Sequence, residues 1–169
     1  MAKLKGLKKL NKAVTAEVAP FGIRKAVCQN EYAYYFDKNI ITFKITEGAI
    51  DDEWFNEFIK ERFGYDVVFP FVLSLLHEVG HHLANEEIDG AIYDFCLKEK
   101  DRISLEMISA DKEKSKTLEW QYFNLPDEIM ATQWAVDWAR KHPKKVRKMW
   151  KRIEKALVDF YFENDVEKG

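Results

Sequence analysis

Residues 77 to 81 of this 169-residue chain read His77-Glu78-Val79-Gly80-His81, and those residue types at that spacing can do hydrolytic chemistry. On a helix, positions i and i+4 share a face, so the two imidazoles can close on one metal ion. The pattern suits Zn²⁺, with Glu78 placed as the general base for a water that the metal activates. The structural alternative is a pair of hydrogen-bonded core histidines with no metal; the presence of Glu78 beside them favours the metal. Gly80 lowers helix propensity by about 1 kcal/mol relative to alanine, so close packing of another element against that turn is expected. His82 is turned about 100° from His81 around the helix, which fits a supporting or packing role rather than ligation.

A catalytic zinc site takes three protein ligands and leaves one position open, so the third ligand has to come from another segment. Downstream acids and histidines that could serve are Glu86, Glu87, Asp89, Asp94, Glu106, Glu128, Asp137 and His142. Glu128 stands out because Glu128, Ala131, Ala135 and Trp138 follow i, i+3, i+7, i+10, which puts a carboxylate on a face of small and apolar residues. A glutamate favoured by the dipole of a helix's first turn, with Asp127 beside it, is the other reading of the same residue. A donor for the developing oxyanion is also needed, and Tyr93, Tyr122 and His142 are candidates.

These residues must be held by surrounding elements. The apolar run from Phe69 to Leu76, continued by Val79 and Leu83, predicts a buried helix carrying the motif, with Pro70 in its first turn and Asp66 as a possible cap. Before it, Tyr32 to Phe36 and Ile40 to Ile45 are aromatic and β-branched and are separated by Asp37-Lys38-Asn39, which predicts an antiparallel hairpin. An N-terminal helical segment within residues 1–29 precedes the hairpin. Its apolar positions Leu4, Leu7, Leu10 and Val14 face one way. Asp51, Asp52 and Glu53 open a helix whose stripe is Trp54, Phe55, Phe58, Ile59 and Phe63 and which stops at Gly64. After a polar break at residues 84–87, helices are expected from about Ile88 to Lys98, Arg102 to Leu118 and Pro126 to His142, with Pro143 forcing a boundary before a basic C-terminal helix and tail over residues 143–169. The fold class is α+β: one mostly helical domain over residues 1–169 with a small N-terminal antiparallel sheet.

Composition supports a folded domain, since 47% of residues are hydrophobic and five Trp, seven Tyr and twelve Phe are present. Cys28 and Cys96 sit apart without a C-x-x-C, which suits free thiols in a reducing compartment. The N-terminal residues lack the apolar stretch of a signal peptide, and no run of about 18 apolar residues occurs, so a cytoplasmic protein outside the membrane is expected. Net charge is only −2, yet residues 140 to 155 hold nine Lys or Arg against the single Glu154. Val146, Met149, Trp150, Ile153 and Leu157 share one side of that segment, which describes an amphipathic helix with a solvated basic face. A nucleic acid or acidic partner is the alternative for that face.

Taken together, His77-Glu78-Val79-Gly80-His81-His82, the apolar run before it and Glu128-Ile-Met-Ala131-Thr-Gln-Trp134-Ala135 resemble the ImmA/IrrE-type zinc metallopeptidases over roughly residues 30 to 142. That family pairs an H-E-x-x-H helix with a later helix patterned E-x-x-A-x-x-aromatic-A. The resemblance implies a zincin-like fold, with His77, His81 and Glu128 as zinc ligands and Glu78 activating the water. It also implies a protein or peptide substrate, often a repressor-type regulator. Thr132 stands where the family usually carries Asn or Asp, and the interval between the two motifs is longer than is common there. A zinc-binding regulatory protein acting through the basic C-terminal helix is the alternative from another class.

Overall fold

The computed structural model describes residues 6–45, 53–84 and 87–165 and, among them, is mostly helical with one small three-stranded sheet. Helix α1 (Leu7–Val18) leads through a short 3₁₀ turn (Ala19–Phe21) and Gly22 into strand β1 (Lys25–Gln29), then β2 (Ala33–Tyr35) and β3 (Ile40–Lys44). Helices α2 (Glu53–Phe63), α3 (Pro70–Ala84), α4 (Gly90–Met107), α5 (Lys112–Phe123), α6 (Pro126–Lys141) and α7 (Pro143–Asp165) follow.

The expected hairpin forms: β2 pairs antiparallel with β3, with Tyr34 opposite Ile41, and Asn39 adopts a left-handed φ of 51° to close the turn. The sheet is nevertheless mixed rather than antiparallel. Residues 25–29, placed by the sequence in a helical segment, form a strand that runs parallel to β3, and the strand order is β1-β3-β2. Its outer edge is finished by α1, since Thr15 Oγ1 accepts from Ala26 N at 2.9 Å and Asn11 Oδ1 accepts from Cys28 N at 2.9 Å. Polar side chains of a helix thus take the place of a neighbouring strand. Helix α1 ends at Val18 and buries Leu10, Val14 and Val18.

Two more boundaries differ from expectation. The expected break between helices near residue 100 is absent, and α4 runs on to Met107. The chain breaks instead at residues 108–111, where Asp111 caps α5 by accepting from Lys114 N at 2.8 Å. Asp66 does not cap α3; it pairs with Lys60, and Phe69 O receives the first helical hydrogen bond, from Leu73 N. Helix α2 stops as expected at Gly64, whose φ of 62° suits glycine. The expectations for Leu4, Asp51, Asp52, Asn85 and Glu86 lie outside the described residues.

The main core surrounds α3, where Phe71, Val72, Leu75, Leu76 and Val79 have no exposed surface and meet Phe43 of β3, Phe58 and Ile59 of α2, and Ile153 of α7. A smaller cluster of Cys96, Ile103, Leu118 and Leu125 joins α4, α5 and the start of α6. Helix α7 buries Val146, Met149, Ile153 and Leu157, as its pattern requires, and leaves Lys144, Lys145, Arg147, Lys148 and Lys151 exposed. Arg152 is held on α1 by both carboxylate oxygens of the buried Glu17, at 2.5 and 2.7 Å. Among the described residues no helix is long and apolar enough to cross a membrane.

Candidate metal centre

Helices α3 and α6 lie against each other at the motif, and Gly80 is the reason they can. A Cβ at position 80 would stand 2.9 Å from Ala131 Cα and 3.0 Å from its carbonyl carbon, closer than any side-chain carbon is tolerated. The small residues Gly80, Ala131 and Ala135 therefore let one helix backbone approach the other. This approach carries Glu128, in the first turn of α6, to the histidines of α3.

His77 Nε2 lies 2.9 Å from Glu128 Oε2 and 3.1 Å from His81 Nε2, while His81 Nε2 lies 3.3 Å from Glu128 Oε1. His77 and Glu128 are buried and His81 is half-buried, and the three ligand atoms form a group able to hold a metal ion. The distances suit it: a tetrahedron with bonds of about 2.05 Å has edges of about 3.3 Å. The chemistry of the donors suits it as well. Thr132 Oγ1 donates its only proton to Glu128 O at 2.8 Å, so at 3.0 Å from His77 Nδ1 it must accept from that nitrogen. In neutral His77 the proton is thus on Nδ1 and the lone pair on Nε2, facing a carboxylate oxygen. Two lone-pair atoms 2.9 Å apart require a cation between them, whether a proton or a metal. Thr132 is thus the side chain that orients His77 in the candidate group.

Glu78 is 6% exposed, and burial, opposed by the nearby His77 and reinforced by Glu128, pushes its carboxyl up to about 7. Glu128 is shifted the other way. Burial alone would raise its carboxyl, but the charge of His81 and the hydrogen bonds from His77 and His81 outweigh it and hold the group well below the usual range. Two buried carboxyls in one site are thereby driven apart, a pattern characteristic of acid–base chemistry.

The group opens onto a cleft of about 620 Å³, bordered by residues 30–37, by Tyr93, Leu97 and Lys100 of α4, and by Tyr122 and Phe123 of α5. Phe55 of α2 packs edge-on against the His77 ring, with centroids 5.2 Å apart. His82 points elsewhere, as its helix angle implies, and shares a 2.7 Å hydrogen bond with the Tyr34 hydroxyl that ties α3 to β2.

Of the oxyanion candidates, Tyr93 and Tyr122 line the cleft and His142 does not: its Nδ1 donates to Trp138 O at 2.9 Å and its ring stacks on Trp138. The other acids considered as third ligand do not join the group among the described residues. Asp89 caps α4, Glu106 pairs with Arg102, Asp137 accepts from Gln133, and Glu87 and Asp94 are exposed.

Sequence reasoning missed Lys100. Its ammonium donates to Glu128 Oε1 at 2.6 Å and to Asp127 Oδ2, and lies 5.2 Å above the Tyr122 ring. Burial lowers its pKa, but Glu128, Tyr122 and Asp127 together raise it above the ordinary lysine value. A signal was present in the sequence. Cys96, Lys100 and Ile103 follow i, i+4, i+7, so this lysine occupies a core-facing position of its helix.

Compared with known proteins, the chain matches no protein-family model, no curated protein and no solved structure.

Proposed function

We propose that this protein is a zinc-dependent metallopeptidase that hydrolyses a peptide bond in a protein or peptide substrate. The observation that carries the reading is the meeting of Glu128 with both imidazoles of the H-E-x-x-H turn, beside Glu78 and at the wall of an open cleft. The resemblance to the ImmA/IrrE-type metallopeptidases points the same way, and with it the zincin-like architecture. Zinc held by His77, His81 and Glu128 would supply Lewis acidity, polarising the scissile carbonyl and activating water near neutral pH.

The remaining steps belong to the chain's own residues. Glu78 takes a proton from the attacking water as the C–O bond forms and delivers it to the amide nitrogen as the C–N bond breaks. Its buried position beside the two imidazoles places the carboxylate where it can serve both halves of that transfer. Thr132 holds His77 in the tautomer that leaves Nε2 as donor. Strand β2 is the edge of the sheet and borders the cleft, so an extended substrate can pair with it through backbone hydrogen bonds. The volume lies within the roughly 300–1,000 Å³ common for ligand sites.

The test is Glu78→Gln in zinc-loaded protein with an unstructured protein such as casein as substrate. Cleavage is expected to fall by at least about 10³-fold while zinc content stays unchanged. Full proteolysis by the variant would refute the role of Glu78.

A further inference from the structure

We propose that Lys100 is a catalytic residue of this site, its ammonium binding the carbonyl oxygen of the substrate as negative charge develops there. The inference rests on the metallopeptidase reading and extends it to the group that stabilises the oxyanion. An ammonium has three N–H bonds. Two of them are taken by Asp127 and Glu128, which anchor Nζ one hydrogen bond from the carboxylate oxygen that also faces His81. No acceptor among the described residues takes the third, while the side chain, 20% exposed, lines the cleft. The cationic head is thus held at the cleft wall, over the Tyr122 ring and one hydrogen bond from Glu128. A charge placed there before the reaction needs no reorganisation when the carbonyl oxygen becomes anionic.

A purely structural lysine would also neutralise Asp127 and Glu128, so the two roles must be separated. Tyr122 and Tyr93 line the same cleft, but their hydroxyls are neutral donors and neither is hydrogen-bonded to a ligand carboxylate. Among the described residues that line the cleft, Lys100 alone combines full positive charge, a fixed position and contact with Glu128. It also comes from the long interval between the two motifs, so that segment contributes to the chemistry as well as covering the site.

The experiment compares wild type, Lys100→Met, Lys100→Arg and the double variant Lys100→Met/Asp127→Asn, each loaded with zinc and confirmed folded by circular dichroism. The double variant removes the charge together with a buried partner, which guards against misfolding of the single one. Inorganic phosphate is the probe, a tetrahedral oxyanion whose dissociation constant is read by calorimetry. The proposal expects wild-type zinc content in both Met variants, phosphate affinity weakened about tenfold or more, and partial recovery in Lys100→Arg. Casein hydrolysis should fall in kcat with little change in KM.

Unchanged phosphate affinity in zinc-loaded Met variants would overturn the proposal, as would failure of wild-type zinc protein to bind phosphate. Loss of zinc from both Met variants would make Lys100 a positioning residue for Glu128 and equally overturn it. Absence of zinc from wild type would remove the metal reading and this one together. Zinc and Lys100-dependent phosphate binding without casein cleavage would fault the peptidase reading while leaving the charge assignment supported.

Discussion

Two helix pairs build the site in different ways. Helices α3 and α6 meet through Gly80, Ala131 and Ala135, with backbone against backbone, and they carry every candidate ligand. Helices α4 and α5 meet over a cluster of only four buried residues, Cys96, Ile103, Leu118 and Leu125, and contribute Lys100, Tyr93 and Tyr122 to the cleft. The first pair is a closely packed frame in which small side chains set the distance between the candidate ligands. The second is a thinner cover that meets the frame through Leu125 and Phe123 and through the ion pairs of Lys100 with Asp127 and Glu128. Ligand geometry needs close packing, whereas a wall that admits substrate can be less strongly held.

The contrast can be broken at several points. The largest effect is expected from the charge that the frame buries. In metal-free protein the folded-state carboxyl of Glu78 stands at about 7 against an ordinary value of 4.5, so ionisation opposes folding. The native state therefore holds the extra proton between those values, and stability falls as pH rises through that window. Glu78→Gln should unfold like wild type near pH 4.5 and be more stable above pH 7, by up to about 3 kcal/mol, as read by urea titration at several pH values. A constant difference across pH would contradict the burial of an ionising Glu78.

Next is Gly80→Ala, where a single methyl meets the Ala131 backbone; a loss of about 2 kcal/mol and weaker zinc binding are expected in the same titration. Thr132→Val removes the acceptor that sets the His77 tautomer, and zinc affinity measured by chelator competition should fall about tenfold or more. The smallest effect has the opposite sign. Gly90, at the start of α4, has no atom within 4 Å of an added Cβ, so Gly90→Ala should stabilise by about half a kcal/mol. A stabilising Gly80→Ala would erase the distinction between the two pairs.

The same division describes what the sequence reveals. The α3–α6 frame is legible because its signals are local and periodic: two imidazoles at i, i+4, an otherwise costly glycine, and a carboxylate on a small-residue face. The hairpin is legible from alternating β-branched and aromatic residues around a turn. Strand β1 is not, because its partner β3 lies beyond β2 and its other edge is satisfied by Asn11 and Thr15 of a helix. Lys100, and the contact of Thr132 with His77, escape for a related reason. Each acts through a partner about 28 to 55 residues away in sequence, and their identities alone suggest a surface charge and a helix-interior hydroxyl. The break between α4 and α5 is set by one capping side chain, Asp111, which competes with a charged pattern that continues through it.

Metal content of protein purified without a histidine tag tests the central claim most directly. About one zinc per chain is expected, removed by chelator with a fall in Tm and restored on adding zinc, and absent from Glu128→Gln prepared in the same way. Wild-type protein that contains no zinc, takes none up, and melts identically with and without chelator would contradict a metal centre at His77, His81 and Glu128.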